Sequence, residues 1–311
     1  MRRTAQATAT IANLGPGFDM LGLCLEGPCD RVTAELTTDG RVEIVAIAGD
    51  DGLLPLAADR NCVGVVARHV LDHFAERGTG VRLWVDKGLP LGSGLGSSAA
   101  SSVASAVAVL ACLDPGIPRD FAFEAAREGE RLATGTPHPD NVAPALFGGI
   151  VACMHGPDER VDVLTLPAPA DLVVAVVKPA FSLPTAESRA VLPSAVPLGA
   201  AVANMGAVAG FVKAVLTGDL NLLGRCLEDQ LATPWRRRLI PGSDAVVEAA
   251  RVAGALGAGI AGAGPAVFAL CAGRDLAIEA ADRMVDAFAG AGLDAQAIVS
   301  AVNTRGAELV D

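Results

Sequence analysis

The stretch Pro90-Leu91-Gly92-Ser93-Gly94-Leu95-Gly96-Ser97-Ser98-Ala99-Ala100-Ser101-Ser102 alternates glycine with other residues and then becomes small and aliphatic. Three glycines at every second position allow backbone conformations closed to residues with a Cβ, so that amide N–H groups can turn toward one ligand. Val103, Val107 and Leu110 follow at the spacing of a buried helical stripe, which predicts a helix to about Leu113. A glycine loop that opens into a helix N-terminus is typical of an anion site, and a nucleotide polyphosphate is the expected anion.

This loop differs from the P-loop of many nucleotide-binding proteins. The P-loop places Lys-Ser or Lys-Thr after its last glycine, whereas this chain has Ser97 and Ser98 there. A metal ligand and the cations that balance phosphate charge must therefore come from elsewhere in the chain. The alternative interpretation is a serine-capped turn before a tightly packed helix of small residues.

Composition limits the classes of function. A chain of 311 residues that is 51% hydrophobic and contains 35 glycines suits a compact enzyme of one large or two smaller domains. Aromatic residues make up 4% and tyrosine is absent, which disfavours a base-stacking platform for single strands. The net charge of −11 opposes nonspecific binding to nucleic acid or to an anionic membrane. We therefore expect neither as a partner.

The cysteines and the N-terminus indicate a cytoplasmic protein. Seven scattered cysteines without a CxxC pair predict neither a zinc site nor a disulfide framework, and they fit a reducing cytoplasm. Met1-Arg2-Arg3 is not followed by an apolar region, so no signal peptide is predicted. The longest apolar runs, such as Leu172 to Val177, are expected to be too short to cross a bilayer.

The order of predicted elements favours an α+β protein with two domains. Alternation around Val32–Leu36 and Val81–Val85 predicts strands, and Asp59 is the expected N-cap of a helix from about residue 60 to 77, closed by Gly78. A polar loop is expected over 136–141. The Pro-rich segment Leu166–Pro169 predicts a boundary between domains 1–167 and 168–311. Further helices are expected near 119–133, 198–216, 219–231, 243–256 and 274–290, and strands near 172–178, up to 271 and near 295–302.

Three further motifs accompany the glycine loop. Ala12-Asn13-Leu14-Gly15-Pro16-Gly17-Phe18-Asp19 places an amide and a carboxylate around a turn, although alone it could be an ordinary Asx turn. His138-Pro139-Asp140-Asn141-Val142-Ala143-Pro144-Ala145 lies mid-chain, and Gly262-Ala263-Gly264-Pro265 forms a late glycine turn. In order and spacing, the four motifs resemble the GHMP kinases, a superfamily of small-molecule ATP kinases. They are most similar to its members that phosphorylate homoserine.

This resemblance covers about residues 7–302 and implies a fold and an activity. The implied fold is the two-domain α+β GHMP kinase fold, with an N-terminal domain like ribosomal protein S5 domain 2 and a ferredoxin-like C-terminal domain. The implied reaction is transfer of phosphate from ATP to the small-molecule substrate L-homoserine, giving O-phospho-L-homoserine in threonine biosynthesis. The resemblance also implies Mg²⁺ as cofactor and a homodimer.

The resemblance assigns the nucleotide and metal residues. Pro90 to Ser98 match the phosphate cradle, with Ser97 and Ser98 at phosphate oxygens and magnesium. Glu130 matches a magnesium-binding glutamate, which suits a hard cation. The alternative is that Glu130 lies on the surface in a charged run. Ala126 and Ala133 argue against this alternative, because they place Glu130 beside the apolar stripe of the helix. The residues expected to line the nucleotide base are Asn61 and Lys87.

The resemblance also assigns the substrate pocket. Asn13, Asp19 and Asn141 match its amino-acid pocket, where a carboxylate suits an ammonium and amides suit the hydroxyl and carboxylate. Arg189 and Arg236 match arginines that clamp the substrate carboxylate, for which a planar guanidinium is a natural bidentate partner. Which of Arg236, Arg237 and Arg238 points inward stays open, and a solvated basic face is the alternative. Thr185 is expected near the transferred phosphate.

Asn141 bears on the mechanism. Related sugar and mevalonate kinases are understood to use an aspartate there as a base, a role that asparagine cannot fill. Phosphoryl transfer tolerates this, because its loose transition state depends mainly on alignment and charge neutralisation. Direct in-line transfer is expected, with Asn141 orienting the hydroxyl and no strong protein base. Ser98, Glu130 and Thr185 complete the expected catalytic set.

Two alternative functions remain open, and three sequence features are not interpreted as functional sites. The alternatives are a GHMP kinase that acts on another small alcohol and a catalytically inactive nucleotide-binding protein that has kept the fold. Ala261 and Ala266 stand where the family usually has hydroxyl-bearing residues, and they favour the inactive protein. Residues 257–262 fit GxGxxG, but a helix precedes them and a strand follows, so no dinucleotide site is expected. His69 and His73 lack a third metal ligand. No proton-transfer role is assigned to His138.

Overall fold

The computed structural model describes residues 1–114 and 116–310, so Pro115 and the last residue of the predicted second domain, Asp311, lie outside the described residues. The strands are β1 Arg2–Ala12, β2 Leu21–Thr37, β3 Val42–Ala48, β4 Gly80–Asp86, β5 Ile150–His155, β6 Val161–Leu166, β7 Leu172–Pro179, β8 Gly257–Ile260, β9 Val267–Ala272, β10 Ala295–Ala301 and β11 Glu308–Val310. The helices are α1 Cys62–Phe74, α2 Ser97–Leu113, α3 Arg119–Thr134, α4 Pro139–Phe147, α5 Thr185–Ala190, α6 Leu198–Thr217, α7 Leu220–Arg225, α8 Thr233–Arg236, α9 Ser243–Val252 and α10 Arg274–Gly290.

The first sheet is built around the long strand β2. Its strands follow the order β11-β1-β2-β4-β3, and β5 joins β2 and β6 beside this path. The start of β2, Leu21–Leu23, pairs with β5, whereas Arg31–Thr37 pairs with β4. Strand β2 therefore connects the first motif, which precedes it, to β4, which leads into the glycine loop.

Helix α2 lies at the centre of the first core. It contacts β1, β2, α1, α3 and α4, and almost all of its side chains are buried. Its small residues make this possible, because alanine and serine allow neighbouring helices and strands to approach closely. The predicted helix to Leu113 is confirmed, as is the helix over about 119–133, which ends before Gly135 in a left-handed conformation.

The second sheet has the order β10-β7-β9-β8 and is antiparallel throughout. With α10 between β9 and β10, this is the connectivity of a ferredoxin-like domain, as expected. Alternate residues of β7 face opposite sides: Val173, Ala175 and Val177 pack with α9 and α10, while Val174 and Val176 pack in the first core. The second sheet therefore packs against α9 and α10 on one face and against the first core on the other.

The C-terminal strand belongs to the first sheet. β11 pairs with β1 from Thr4 to Gln6, so residues 308–310 lie beside the N-terminus of the chain. β6 ends at Leu166 and β7 begins at Leu172, on either side of the expected boundary. The boundary itself stays a prediction.

Three expected elements differ in the structure. Asn61 rather than Asp59 is the N-cap of α1, because the Asn61 Oδ1 accepts from Val63 N at 3.0 Å while Asp59 lies in a short 3-10 helix. The expected loop over 136–141 is helical from Pro139, where proline occupies the first turn and its missing N–H is harmless. The helix expected over 219–231 ends at Arg225.

Asp229 explains the early end of that helix. Its carboxylate accepts hydrogen bonds from the amides of Leu231, Ala232 and Thr233. A short acidic side chain that binds the amides after it competes with the helical ladder. The chain therefore turns here and begins α8 instead of continuing α7.

Helix α6 corrects the expectation about apolar segments. Its 20 residues are long and apolar enough to cross a membrane, by length and composition only, and it is the one such helix among the described residues. Only 22% of its most apolar 18-residue stretch is buried, and the buried residues include Phe211, Ala214 and Val215. The segment is apolar because Lys213 is its single charged residue and many of the others are alanine, glycine or valine.

Substitution of Asn61 by alanine tests the corrected N-cap. Asn61→Ala removes the acceptor for Val63 N, so we expect the free energy of unfolding to fall by about 1 kcal/mol. Asp59→Ala is the matched control, because Asp59 is exposed and makes no cap bond. Urea denaturation of both variants gives the measurement, and equal losses would contradict the assignment of the cap to Asn61.

Candidate active site

A cavity of about 540 Å³ opens between the two halves of the chain. Its walls combine residues from every motif that the sequence singled out: Asn13, Ser98 and Asn141 come from the first half, and Gly262 and Arg236 come from the second. These residues are far apart in sequence, and the fold brings them around one space.

The glycine loop forms one wall of this cavity. Gly92, Gly94 and Gly96 all have positive φ, at 60°, 81° and 68°, as the alternating glycines predict. A Cβ on Gly96 would overlap Thr10 Oγ1, so no other residue fits there. Gly96 precedes α2 without a side-chain cap, which leaves the first amides of the helix available to an anion.

A buried ion pair supports the loop from below. Lys87 Nζ contacts the Asp30 carboxylate and donates to Ser97 Oγ at 2.7 Å and Ser101 Oγ at 2.8 Å. Both charged side chains are almost fully buried, at 2% and 0% exposure. Lys87 and Ser97 both line the cavity, and the Lys87 ammonium donates to the Ser97 hydroxyl at its edge.

Glu130 and Ser98 form an oxygen-rich corner of the cavity. Glu130 is 2% exposed, and its Oε1 has no hydrogen-bond partner. Burial raises the pKa of this carboxyl above its usual value, although a hydrogen bond from Ser98 acts in the opposite direction. A buried carboxylate with an unused oxygen beside a hydroxyl fits the ligand preference of Mg²⁺. The surface alternative for Glu130 is wrong.

The first motif folds into a tight turn. Asn13, Leu14 and Asp19 have positive φ, which is uncommon for residues other than glycine. The Asn13 amide holds the turn in place, because its Nδ2 donates to Gly262 O at 2.9 Å and its Oδ1 accepts from Asp19 N at 3.0 Å. Asn13 therefore aligns the first motif with the late glycine turn.

Asp19 is paired with cationic neighbours. Nη2 of Arg189 donates to both Asp19 oxygens at 2.6 and 2.8 Å, and it lies 3.0 Å from His138 Nδ1. Burial alone would raise the pKa of Asp19, but His138 and Arg189 together lower it to about 2. Burial likewise opposes protonation of His138, yet Asp19 and Asp140 raise its pKa above the usual value. Asp19, His138 and Arg189 therefore form one electrostatically linked cluster.

Arg236 is the inward residue of the three consecutive arginines. It is 3% exposed and donates to Gly262 O at 2.8 Å, whereas Arg237 and Arg238 are exposed. The ring of Phe18 lies 5.2 Å from the Arg236 guanidinium and 5.5 Å from that of Arg189. One aromatic face thus steadies both guanidinium groups at the cavity.

Asn141 is oriented by a residue that the sequence did not reveal. Thr10 Oγ1 donates to Asn141 Oδ1 at 2.8 Å. With its carbonyl oxygen held, the amide presents N–H donors to the cavity that it lines. Thr10 is fully buried on β1, and a threonine within a strand carries no sequence signal for such a role.

The remaining predicted residues divide into two groups. Thr185, Leu91 and Ser93 line the cavity, as does Asn61, whose side chain is engaged by Val63 N and Pro55 O. Pro90 and Leu95 are not among the cavity's lining residues: Pro90 is exposed, and Leu95 is fully buried in the core.

The two alanines of the late turn do not face the cavity. Ala261 and Ala266 are fully buried in the first core, and Ala261 N donates to Ala266 O at 2.9 Å. Hydroxyl-bearing residues at these positions would point into the core, so the alanines give no support to an idle nucleotide-binding protein. His69 and His73 lie outside the cavity, stacked near Phe121.

Comparison with known proteins shows the family of this chain. A model described as GHMP kinases N terminal domain matches residues 61–149, and one described as GHMP kinases C terminal matches residues 211–290. The homoserine kinase of Arabidopsis thaliana is 41% identical, covering 98% of this chain and 84% of that protein. This chain belongs to the GHMP kinase family.

Other relatives of this GHMP kinase extend over both domains. It is 42% identical to the homoserine kinase of Pyrococcus furiosus, over 97% of this chain and 98% of that protein. The crystal structure of homoserine kinase from Cytophaga hutchinsonii matches with a TM-score of 0.95 and 38% identity, covering 99% and 97% of the two chains. The predicted two-domain GHMP kinase fold is confirmed.

Sequence reasoning missed three residues at this site. Thr10 and Asp30 lie in strands, where their side chains could equally have faced solvent. Asp140 stands beside Asn141 in the same motif, and its acidic type next to an assigned residue was the available signal. The direction of each side chain depends on strand register and helix start, which sequence patterns give only approximately.

The buried pair in this GHMP kinase predicts a large effect on stability. Lys87→Met leaves the Asp30 carboxylate buried without its partner, and such a loss lowers the free energy of unfolding by about 3–5 kcal/mol. The double variant Lys87→Met/Asp30→Asn removes the uncompensated charge and should recover part of this loss. Chemical denaturation compares the variants, and equal losses in the single and double variants would contradict the role of charge.

An exposed ion pair supplies the control for that experiment. Arg82 and Glu43 lie 3.1 Å apart with about half of each side chain exposed. Because water screens this pair, Arg82→Met should change the free energy of unfolding by less than about 1 kcal/mol.

Proposed function

We propose that this chain phosphorylates the hydroxyl of L-homoserine with ATP, giving O-phospho-L-homoserine in threonine biosynthesis. Membership in a kinase family implies ATP as one substrate. The observation that carries the proposal is the cavity itself, because a glycine-loop anion cradle and a cluster of carboxylates and guanidinium groups open into one space. Such a space suits a polyphosphate at one end and a zwitterionic amino alcohol at the other.

The charged cluster suits the two ends of homoserine. We assign the substrate ammonium to the Asp19 side of the cavity and its carboxylate to Arg189 and Arg236. Arg236 has a buried Nε without a partner, as does Arg189, so both retain unused donors. Guanidinium groups bind carboxylates through paired N–H donors. Asn13 supports this end by holding the turn that carries Asp19.

The glycine loop and Glu130 suit the nucleotide end. We assign the ATP phosphates to the amides of residues 92–98 at the start of α2, where the helix dipole also favours an anion. Glu130 and Ser98 would hold Mg²⁺, and the unused Glu130 Oε1 supports this assignment. When bound, the ion neutralises phosphate charge. Thr185, which also lines the cavity, suits contact with the transferred phosphate.

Direct in-line transfer is the proposed mechanism. Asn141, fixed by Thr10, orients the substrate hydroxyl through its amide donors. An amide cannot serve as a strong base, so the hydroxyl proton passes to a phosphate oxygen or to water after most of the bond between phosphorus and the leaving oxygen of ATP has broken. Alignment of the hydroxyl with the phosphate then supplies most of the rate enhancement.

The cytoplasm and a homodimer are proposed on separate grounds. All seven cysteines are free, which suits a reducing compartment. The homodimer follows from the family resemblance, and α6 exposes Leu198, Val202 and Met205 on a surface with few charges. Sedimentation or light scattering measures the mass in solution.

An ADP-release assay tests the proposed reaction. Purified protein with ATP and Mg²⁺ should release ADP when L-homoserine is added, and phosphorus NMR should detect the new phosphate ester. Mevalonate and galactose serve as competing alcohols. Preference for either over homoserine would overturn the substrate, whereas ADP release with none of them would overturn the kinase assignment for this group of alcohols.

Glu130→Gln tests the metal assignment. The amide keeps the shape of the side chain but removes its charge, so we expect kcat to fall by at least about 100-fold and the Mg²⁺ concentration required for half-maximal activity to rise. Glu128→Gln is the control on the same helix, where the carboxylate is 38% exposed and paired with Arg131. Equal activity of both variants would remove Glu130 from the site.

Thr10→Val tests the orientation of Asn141. Valine keeps the volume of threonine but loses the hydroxyl that holds Asn141 Oδ1. We expect kcat to fall by about 10-fold with the KM for ATP unchanged, and a larger fall in Asn141→Ala. Steady-state kinetics with varied ATP and homoserine separate these effects, and a raised KM for ATP alone would contradict the assignment.

A further inference from the structure

The carbonyl groups of the glycine loop are held by residues outside the cavity. Three of them, at alternate positions, accept one hydrogen bond each: Leu91 O from Ser182 Oγ at 3.2 Å, Ser93 O from Ala266 N at 3.3 Å, and Leu95 O from Thr10 N at 3.1 Å. The three donor residues are not among those that line the cavity. The carbonyls therefore point away from the space to which we assign the nucleotide.

Each held carbonyl precedes one of the three glycines. In a trans peptide unit, the C=O of one residue and the N–H of the next lie in one plane and point in opposite directions. A carbonyl held outside the cavity therefore turns the following amide, of Gly92, Gly94 or Gly96, toward the cavity. All three glycines line it, and in the part of the chain that the structure describes no acceptor pairs with their amides.

Glycine alone does not select this arrangement. Because it lacks a Cβ, a glycine-rich segment has many backbone conformations of similar energy, in which its peptide units point in different directions. The hydrogen bonds from outside the loop favour one orientation of each unit. Donors that are already aimed at a ligand lose less freedom when the ligand binds, so such anchors strengthen binding without touching the ligand.

Ser182 is the anchor that acts through its side chain. Ala266 and Thr10 donate through backbone amides, which most substitutions leave in place, whereas Ser182 donates through its hydroxyl. Ser182 lies between β7 and α5, in the second half of the chain, and it is exposed. A substitution there removes one anchor with little change in packing.

The neighbours of Ser182 fix its place beside the loop. Leu183 is 6% exposed in the core of the second half, and its amide donates to Gly92 O at 3.1 Å. Pro184 follows and restricts Leu183 to an extended backbone. The approach is close, since a Cβ on Gly92 would lie 3.0 Å from the Cβ of Ser182.

We propose that Ser182 is a positioning residue for the nucleotide phosphates: its hydroxyl holds the carbonyl of Leu91 outward and so directs the amide of Gly92 to the phosphate oxygens. This inference rests on the proposed function, because it concerns the assigned phosphate cradle. It makes the nucleotide affinity of the first half depend on a side chain of the second half.

Binding of two nucleotide probes to the free protein tests this role. ADP with Mg²⁺ carries phosphates, whereas adenosine has the same base and ribose without them. Ser182→Ala should weaken ADP binding by about 3- to 10-fold and leave adenosine binding unchanged. Calorimetric titration measures ADP, and competition with ADP measures adenosine, which binds more weakly.

Steady-state kinetics give a second readout. The KM for ATP should rise in Ser182→Ala by a factor similar to that for ADP binding, with the KM for homoserine unchanged. Ser182→Thr retains the hydroxyl and should behave as the wild type. Ser194→Ala is the matched control, since Ser194 is also exposed in the second half and does not line the cavity; it should change neither constant.

Thermal denaturation shows whether the variants fold. Because Ser182 is exposed, Ser182→Ala should shift the Tm by less than about 2 °C. A variant of normal Tm that binds ADP more weakly, keeps its affinity for adenosine and is rescued by threonine supports the inference.

The remaining outcomes separate this inference from the proposed function. Unchanged ADP affinity in Ser182→Ala overturns the inference, and an equal loss for ADP and adenosine also does so, because it indicates a general change of the cavity. Neither result affects phosphorylation of homoserine by the wild type. If the wild type binds ADP but phosphorylates another alcohol, the proposed substrate fails and the role of Ser182 stands. If the wild type does not bind ADP, both are overturned.

Discussion

The buried contact between Lys87 and Asp30 is the constraint on which the nucleotide end of the site depends. Asp30 stands on β2, and its Oδ1 also accepts from the amides of Gly88 and Leu89 at 3.0 Å, where the chain leaves β4 for the loop. Lys87 and Asp30 both reach the hydroxyl of Ser101 on α2. One charge pair thus fixes the strand, the start of the loop and the helix relative to one another.

The charged side chains at the Asp19 end of the cavity differ in whether they are paired. Asp19, Arg189 and His138 compensate one another, and Phe18 holds both inward guanidinium groups. Glu130 and Asp140 each keep a buried oxygen without a hydrogen bond. Such atoms are rare in folded proteins because they are unfavourable. In this cavity both atoms belong to residues that line the same space.

Much of the site could be predicted from residue types at fixed spacing. The alternating glycines required positive φ, and the structure has it at all three. The apolar neighbours of Glu130 on α3 indicated that it faces inward, and it does. Lys87 and Ser97 also line the cavity, and the contact between their side chains beneath the loop is a feature that residue types did not indicate. Asp229 and Asn61 shifted helix ends through short polar contacts that propensity does not weigh.

By itself, the sequence determined the local backbone: where glycine is required, where helices run, and the order of the four motifs that identifies the family. The glycine conformations and the helices depend mainly on neighbours within a few residues, and the order of the motifs is read directly from the chain. Only the tertiary structure decided that Arg236 rather than Arg237 or Arg238 faces the cavity, that Thr10 holds Asn141, and that Asp140 Oδ1 is buried without a hydrogen-bond partner. Those facts depend on distances between residues that are far apart along the chain, which strand register and helix packing set together.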